Sequence, residues 1–395
     1  MSAAPRPSWS ERARAEPDGL LAAAFLGMLG TAGMFYVNLL PAIVSGLRDA
    51  LGYSNAQAGY VASANVYGAA LGALAAVFIV RRVPWKRVQV GALLALIALD
   101  LASMGVAALP LLVALRALHG ICGGVSIGLA LAVMARTRVP QRAYGAQFTL
   151  QVLLGGLGLL WLPELAARAG AWVLFLALAA IAAITLALLP LLADYPLAPL
   201  ADAKAPARVA RGPLAATLAA IFLFQGANMA LFAFIIPLGR HYALSTAFVS
   251  GALAAADWIA ALGSLLAMWV GLRFGRLRPL VVALLITIPA TAAFLRSDLG
   301  TVFVAANIVT GIAWSFVIPW LFSMCAGLDP SGRSATLGGF CSKMGLATGP
   351  LLAPYLIHDE DFAALIRVAV AVLVLVLVAA AWPARRIDRA ASITL

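Results

Sequence analysis

The chain has 395 residues, 64% hydrophobic and 11% charged, with a mean hydropathy of +1.01 and a formal charge of +12. That composition excludes a soluble globular domain, and apolar stretches of about 20 to 27 residues without dyad alternation exclude an outer-membrane barrel. Nearly all the cations lie between apolar stretches, which argues against a nucleic-acid-binding face.

In chain order, residues 1–18 form a polar tail. The first apolar stretch is too long for a signal-peptide core and is retained as a span. Twelve spans are predicted, at 19–45, 55–80, 88–108, 110–134, 143–165, 171–192, 214–238, 246–271, 279–296, 299–326, 334–356 and 362–383. Residues 193–213, rich in Ala, Pro and charge, read as a linker between six-span units at 19–192 and 214–383, with a C-terminal tail at 384–395. The spans predict an all-α membrane protein of two related six-helix bundles.

Two basic turns, Arg81-Arg82-Val83-Pro84-Trp85-Lys86-Arg87 and Arg273-Phe274-Gly275-Arg276-Leu277-Arg278, follow the second span of each unit. Alternate sides of the predicted topology receive 20 and 5 cations, which places both termini and the linker in the cytoplasm. Arg outnumbers Lys 24 to 3, as a GC-rich bacterial genome would leave it, so the expected location is the bacterial inner membrane. Cys122, Cys325 and Cys341 lie inside apolar stretches without metal spacing and read as small packing residues. No nucleotide-binding loop is present, so ATP-driven transport by this chain alone is excluded, and neither a cofactor nor a metal is expected.

The first turn, with Arg82, Lys86 and Arg87, and the second, with Arg273, Gly275 and Arg276, resemble the signature loop of the major facilitator superfamily. Both copies lack its acidic residue, where Arg81 and Leu272 stand. In the fourth span, Leu112-x-x-x-Arg116-x-x-His119-Gly120-x-Cys122-Gly123-Gly124 resembles a second family motif, with His for the usual Gln. Gly345-x-x-x-Gly349-Pro350 resembles the antiporter motif, but in span 11 and not span 5, which has only Gly155-Gly156-x-Gly158. The resemblance implies spans 5 and 8, and spans 2 and 11, meeting across the interface of the bundles, with spans 1, 7 and 10 lining a cavity.

Four charges lie well inside spans: Asp100, Arg116, Asp257 and Lys343. Each costs about 2.5–3.5 kcal/mol at the membrane centre unless paired or hydrated. Counted from the turn near Pro110, Asp100 and Arg116 reach depths of ~15 and ~9 Å on consecutive antiparallel spans, close enough to pair. Two readings stay open there: a buried pair that fixes register, or a relay involving nearby His119. Asp257 shares a stripe with Ser250 and Ser264 and has no local cation, which suits a proton carrier. Lys343 suits an anchor for a substrate carboxylate, or else a resting partner of Asp257.

By the packing that the resemblance implies, Gln147 and Gln151 face Asp257, while Asn65 and Tyr67 face Lys343. Tyr36, Asn38, Gln225, Asn228, Asn307 and Trp314 complete the expected cavity. Pro41, Pro237 and Pro319 are expected to bend their spans.

The expected function is a secondary transporter working by alternating access, not an enzyme, with proton-coupled symport of a small organic anion as the leading form. Proton-driven efflux of a drug or metabolite is the alternative, and a transporter-like ligand sensor a further one. The expected partners are the bilayer, protons and a small solute, with no nucleic acid and a monomer as the working unit.

Overall fold

The computed structural model describes residues 15–79, 84–195, 211–271, 273–328 and 333–393. Fourteen α-helices run through these residues. The N-terminal half contains α1 (Leu20–Asn38), α2 (Leu40–Leu51), α3 (Asn55–Ile79), α4 (Trp85–Ser103), α5 (Leu109–Met134), α6 (Pro140–Ala169) and α7 (Trp172–Leu188). The C-terminal half contains α8 (Arg211–Ala233), α9 (Ile235–His241), α10 (Thr246–Val270), α11 (Leu277–Ala292), α12 (Gly300–Leu328), α13 (Arg333–Leu352) and α14 (Ala363–Ile393).

Ten of these helices are long and apolar enough to cross a membrane. The helices at predicted spans 3 and 11, α4 and α13, have 19 and 20 residues but fall outside that group. Charge and polarity explain this: α4 carries Lys86, Arg87 and Asp100, and α13 carries Lys343 within a Gly- and Ser-containing run. Several helices run past the predicted ends, among them α2, which reaches Leu51, and α6, which spans Pro140–Ala169. Helix α8 begins at Arg211, inside the predicted linker, and α14 continues to Ile393, past the predicted end at 383.

The first span of each half is broken. Helix α1 ends at Asn38 and α2 starts at Leu40; α8 ends at Ala233 and α9 starts at Ile235. Pro41 and Pro237 account for both breaks, because proline has no N–H for the carbonyl four residues back and its ring clashes with that turn. Pro319 lies inside the continuous α12.

Small residues bring helices close. A Cβ on Gly120 of α5 would run into the carbonyl oxygen of Asn65 of α3, and one on Gly72 into that of Ile121. This is the small-residue packing that membrane helices use where the hydrophobic effect between them is absent. The outward side chains of α10, among them Leu262, Leu265, Met268 and Trp269, are exposed and apolar, as a surface facing hydrocarbon requires.

The halves meet along α3 with α13 and α6 with α10, spans 2 with 11 and 5 with 8. Tyr67 Oη lies 2.8 Å from Thr348 Oγ1 and Tyr60 Oη 2.7 Å from Tyr355 Oη, which sets α3 and α13 antiparallel. At the end away from the basic turns, ion pairs cross between the halves: Arg48–Glu360 at 2.8 Å and Asp49–Arg240 at 2.6 Å.

At the basic end, Lys86 and Asp388 tie each basic turn to a segment of its own side of the chain. Lys86 reaches Asp194 at 2.9 Å and donates to the Leu192 carbonyl at 2.7 Å. Asp388 accepts from the backbone N–H groups of Arg276 and Leu277, at 2.9 and 3.0 Å, and so caps α11. Gly275 sits at φ +69°, and a Cβ there would press on the Asp388 carboxylate. Both turns thus find an acid after all, Asp194 and Asp388, each past the predicted end of the last span of its half. Arg82 lies outside the described residues, Arg87 is exposed, and Arg273 lies over the Trp269 ring at 5.8 Å.

Candidate transport site

Two groups of intramembrane charge occupy different surroundings. The first is sealed inside the N-terminal half. Arg116 Nη1 donates to Asp100 Oδ1 at 2.7 Å, and both side chains are 0% exposed. Arg116 Nη2 donates to the Leu99 carbonyl at 2.9 Å and to Ser103 Oγ at 2.6 Å, and the guanidinium lies 4.9 Å from the Phe175 ring centre.

His119 completes this group. Asn65 Nδ2 lies 3.1 Å from the Arg116 carbonyl and 2.8 Å from His119 Nδ1. A carbonyl only accepts, so the Asn65 amide donates on this side and His119 Nδ1 is an acceptor. The imidazole proton is then on Nε2, which faces Asp100 Oδ2 at 3.2 Å. Asp100 therefore accepts from Arg116 Nη1 and from His119 Nε2. Tyr36 packs against the His119 ring and its hydroxyl lies 3.5 Å from the Val61 carbonyl.

The second group lines a cavity of about 430 Å³ between the halves. That is within the range of small-molecule pockets, roughly 300–1,000 Å³. Asp257 reaches it from α10 and Lys343 from α13. No ion pair joins them, and Asp257 Oδ2 is buried without a hydrogen-bond partner. Gly155 of α6 makes room for the carboxylate: a Cβ there would lie 2.8 Å from Asp257 Oδ2 and 3.0 Å from Asn38 Nδ2. The neighbouring Gly156 likewise seats the Trp258 ring.

Of the residues expected here, Asn38, Gln151, Gln225, Asn228, Asn307 and Trp314 line the cavity. Asn38 and Gln151 bind each other: Asn38 Nδ2 donates to the Gln151 carbonyl at 3.0 Å, and Gln151 Nε2 to Asn38 Oδ1 at 3.2 Å. Gln225 Nε2 donates to Ser342 Oγ at 2.7 Å, and Trp314 Nε1 donates to Gln225 Oε1 at 2.7 Å.

Others lie elsewhere. Asn65 faces α5, not Lys343, and Tyr67 meets Thr348. Tyr36 and Gln147 are buried but do not line the cavity; the Gln147 side chain packs against Gly30. Gly345, Gly349 and Pro350 serve close packing: a Cβ on Gly349 would lie 2.6 Å from the Gly226 carbonyl oxygen, and the Pro350 carbonyl abuts Gly59.

Sequence reasoning missed Ser342 as a cavity partner, and it missed the Arg48–Glu360 and Asp49–Arg240 clamp. The signal for the clamp was present: Arg48 and Arg240 each lie near the end of the broken first span of a half, among the few cations on the minority side.

Similar folds are known. A point mutant of the nucleoside transporter NupG superposes with a TM-score of 0.75 at 13% identity, over 92% of this chain and 99% of that one. A D-xylose–proton symporter gives 0.73 at 14% identity, over 91% and 95% of the two chains. The human organic anion transporter MFSD10 gives 0.61 at 17%, over 93% and 100%. Among curated proteins none matches. The fold and the membrane helices are those of transporters, and residues 20–354 match the Major Facilitator Superfamily. The chain belongs to the major facilitator superfamily.

Proposed function

We propose that this chain is a proton-coupled secondary transporter that carries a small organic anion by alternating access. The observation that carries the reading is the shared cavity of Asp257 and Lys343, where the two charges face one space without pairing to each other. A half-buried ammonium attracts a carboxylate, and a carboxyl in the cavity wall without a hydrogen-bonding partner suits loading and release of a proton. A proton entering with the anion offsets its charge. Lys343 is the substrate anchor in this reading and Asp257 the proton carrier.

The Asp100–Arg116–His119 group has its charges matched and lies away from the cavity, which supports the role of a lock that holds α4 against α5. The positive-inside bias supports a bacterial inner-membrane location with both termini cytoplasmic, twelve spans, and the linker at 193–213 between two bundles. The clamp then closes the outer side, and rocking of the halves opens it. A monomer is sufficient, since both charges come from one chain.

Proteoliposomes under an imposed pH gradient test this. Uptake of a panel of labelled carboxylates is expected to follow the gradient, to be lost in Lys343→Ala, and to lose its proton dependence in Asp257→Asn while exchange persists. Unchanged uptake of every carboxylate by Lys343→Ala would sink the anion reading. Proton-driven efflux is the second reading, favoured by the apolar wall of Phe148, Phe232, Phe294 and Phe322. In whole cells a protonophore lowers accumulation under the first reading and raises retention under the second.

A further inference from the structure

We infer that the substrate is a monocarboxylate with an apolar body and a hydroxyl or amino group near the carboxylate, the carboxylate held by Lys343 and the second group by the side-chain carbonyls of Asn228 and Asn307. This rests on the anion reading above and narrows it.

Many polar atoms of the cavity are already engaged. Asn228 Nδ2 donates to the Phe224 carbonyl at 2.8 Å, one turn back on α8. Asn307 Nδ2 does the same with the Phe303 carbonyl on α12, also at 2.8 Å. A backbone carbonyl accepts only, so both amides are oriented by chemistry, with each NH2 turned to its own helix. Each Oδ1 is left without a donor among the described residues. Both residues line the cavity, so these oxygens are acceptors available to a bound molecule.

The remaining polar atoms are largely committed. Gln225, Ser342 and Trp314 bind one another, and Asn38 and Gln151 form a reciprocal pair. The rest of the N-terminal wall is apolar, built from Met34, Val37, Phe148 and Val152. Beside the hydroxyls of Thr291, Thr310 and Ser315, the C-terminal half therefore presents one charged donor, the Lys343 ammonium, and two neutral side-chain carbonyls, with Asp257 as the exchangeable acid. Apart from the Asn38–Gln151 pair, the opposite wall presents carbon.

A ligand matching this pattern needs one anionic group and at least one N–H or O–H donor, with an apolar remainder against the N-terminal half. A dicarboxylate fits badly, since its second charge would face carbonyl oxygens. A plain fatty or aromatic acid leaves both carbonyls unpaired, and a hydrogen bond of this kind contributes up to roughly tenfold in affinity.

Binding of matched acids to the full chain in nanodiscs tests this, by isothermal calorimetry with intrinsic tryptophan fluorescence as a second readout. The pairs are 3-phenyllactate with 3-phenylpropionate, and 2-hydroxy-4-methylpentanoate with 4-methylpentanoate; phenylsuccinate is the dicarboxylate. The hydroxy acid of a pair is expected to bind about tenfold tighter than its deoxy partner, and phenylsuccinate weaker than both. At least one of Asn228→Ala and Asn307→Ala, made separately, is expected to bring that ratio towards one.

Equal binding within both pairs overturns the inference without any variant, as does a ratio that neither substitution alters. Those results leave the anion reading standing if Lys343→Met abolishes binding of all the acids. Binding that survives Lys343→Met, or no binding of any acid to the unmodified chain, overturns the anion reading itself.

Discussion

The guanidinium of Arg48 and the carboxylate of Glu360, 312 positions apart, meet at 2.8 Å across the two halves. Asn55 Nδ2 adds a contact to the same carboxylate at 3.3 Å, and Arg240 binds Asp49 beside it. These side chains are partly exposed, so solvent screening limits each pair to about 0–1 kcal/mol. Two such pairs are enough to bias an equilibrium between conformations that are close in free energy, without locking it.

Arg48→Glu combined with Arg240→Glu is therefore expected to open this end in a sizeable fraction of molecules, roughly a tenfold shift in the equilibrium at low salt. Spin labels at Gly105→Cys and Leu299→Cys, one on each half at that end, report it. The distance distribution should gain a longer component, and Glu360→Arg with Asp49→Arg in the same chain should remove it. An unchanged distribution in the double-Glu variant rules the clamp out as a conformational determinant.

The Asp100–Arg116 pair behaves differently because it is fully buried. Removing one member leaves an unpaired charge, at a cost of about 3–5 kcal/mol. Asp100→Asn and Arg116→Met are each expected to lower the thermal transition strongly. Asp100→Leu with Arg116→Met together should recover much of the loss. If the recovered variant still shows proton-driven uptake, the group is a structural lock and not part of the proton path.

Gly120 and Gly91 offer a direct contrast. A Cβ at Gly120 meets the backbone of α3, which cannot yield cheaply, whereas a Cβ at Gly91 meets nothing within 4 Å. Gly120→Ala is expected to destabilise by about 1–3 kcal/mol, and Gly91→Ala to be neutral or slightly stabilising. Thermal unfolding in detergent of the two variants side by side measures the difference.

Asp388 caps α11 through two backbone N–H groups. Asp388→Ala is expected to cost on the order of 1 kcal/mol. Because its contacts lie within the C-terminal half, the spin-label distances at the far end should not move. A change in those distances would instead make the second basic turn a coupler between the halves.

Much of the architecture was legible along the chain because a membrane span is a local property. Twenty or so apolar residues and a run of cations declare themselves without knowledge of neighbours. The breaks at Leu39 and Phe234 were likewise foreshadowed by Pro41 and Pro237. Asp100 and Arg116 meet at depths legible from the chain because one short turn joins α4 and α5, so counting residues measures distance.

Where the partner comes from a distant helix, counting fails. Nothing near Asn65 says that its amide serves His119 and not Lys343, and nothing near Gln225 says that it holds Ser342 and Trp314. The missing acid of the basic turns was found in Asp194 and Asp388, each more than 100 positions from the turn it serves. The sequence by itself determined the spans, the charge bias and the intramembrane charges, since these depend on composition along one helix. Only the tertiary structure decided which polar groups satisfy one another and which face the cavity. Those pairings depend on the rotation and close approach of helices, which small residues such as Gly120 and Gly155 permit and a linear pattern does not encode.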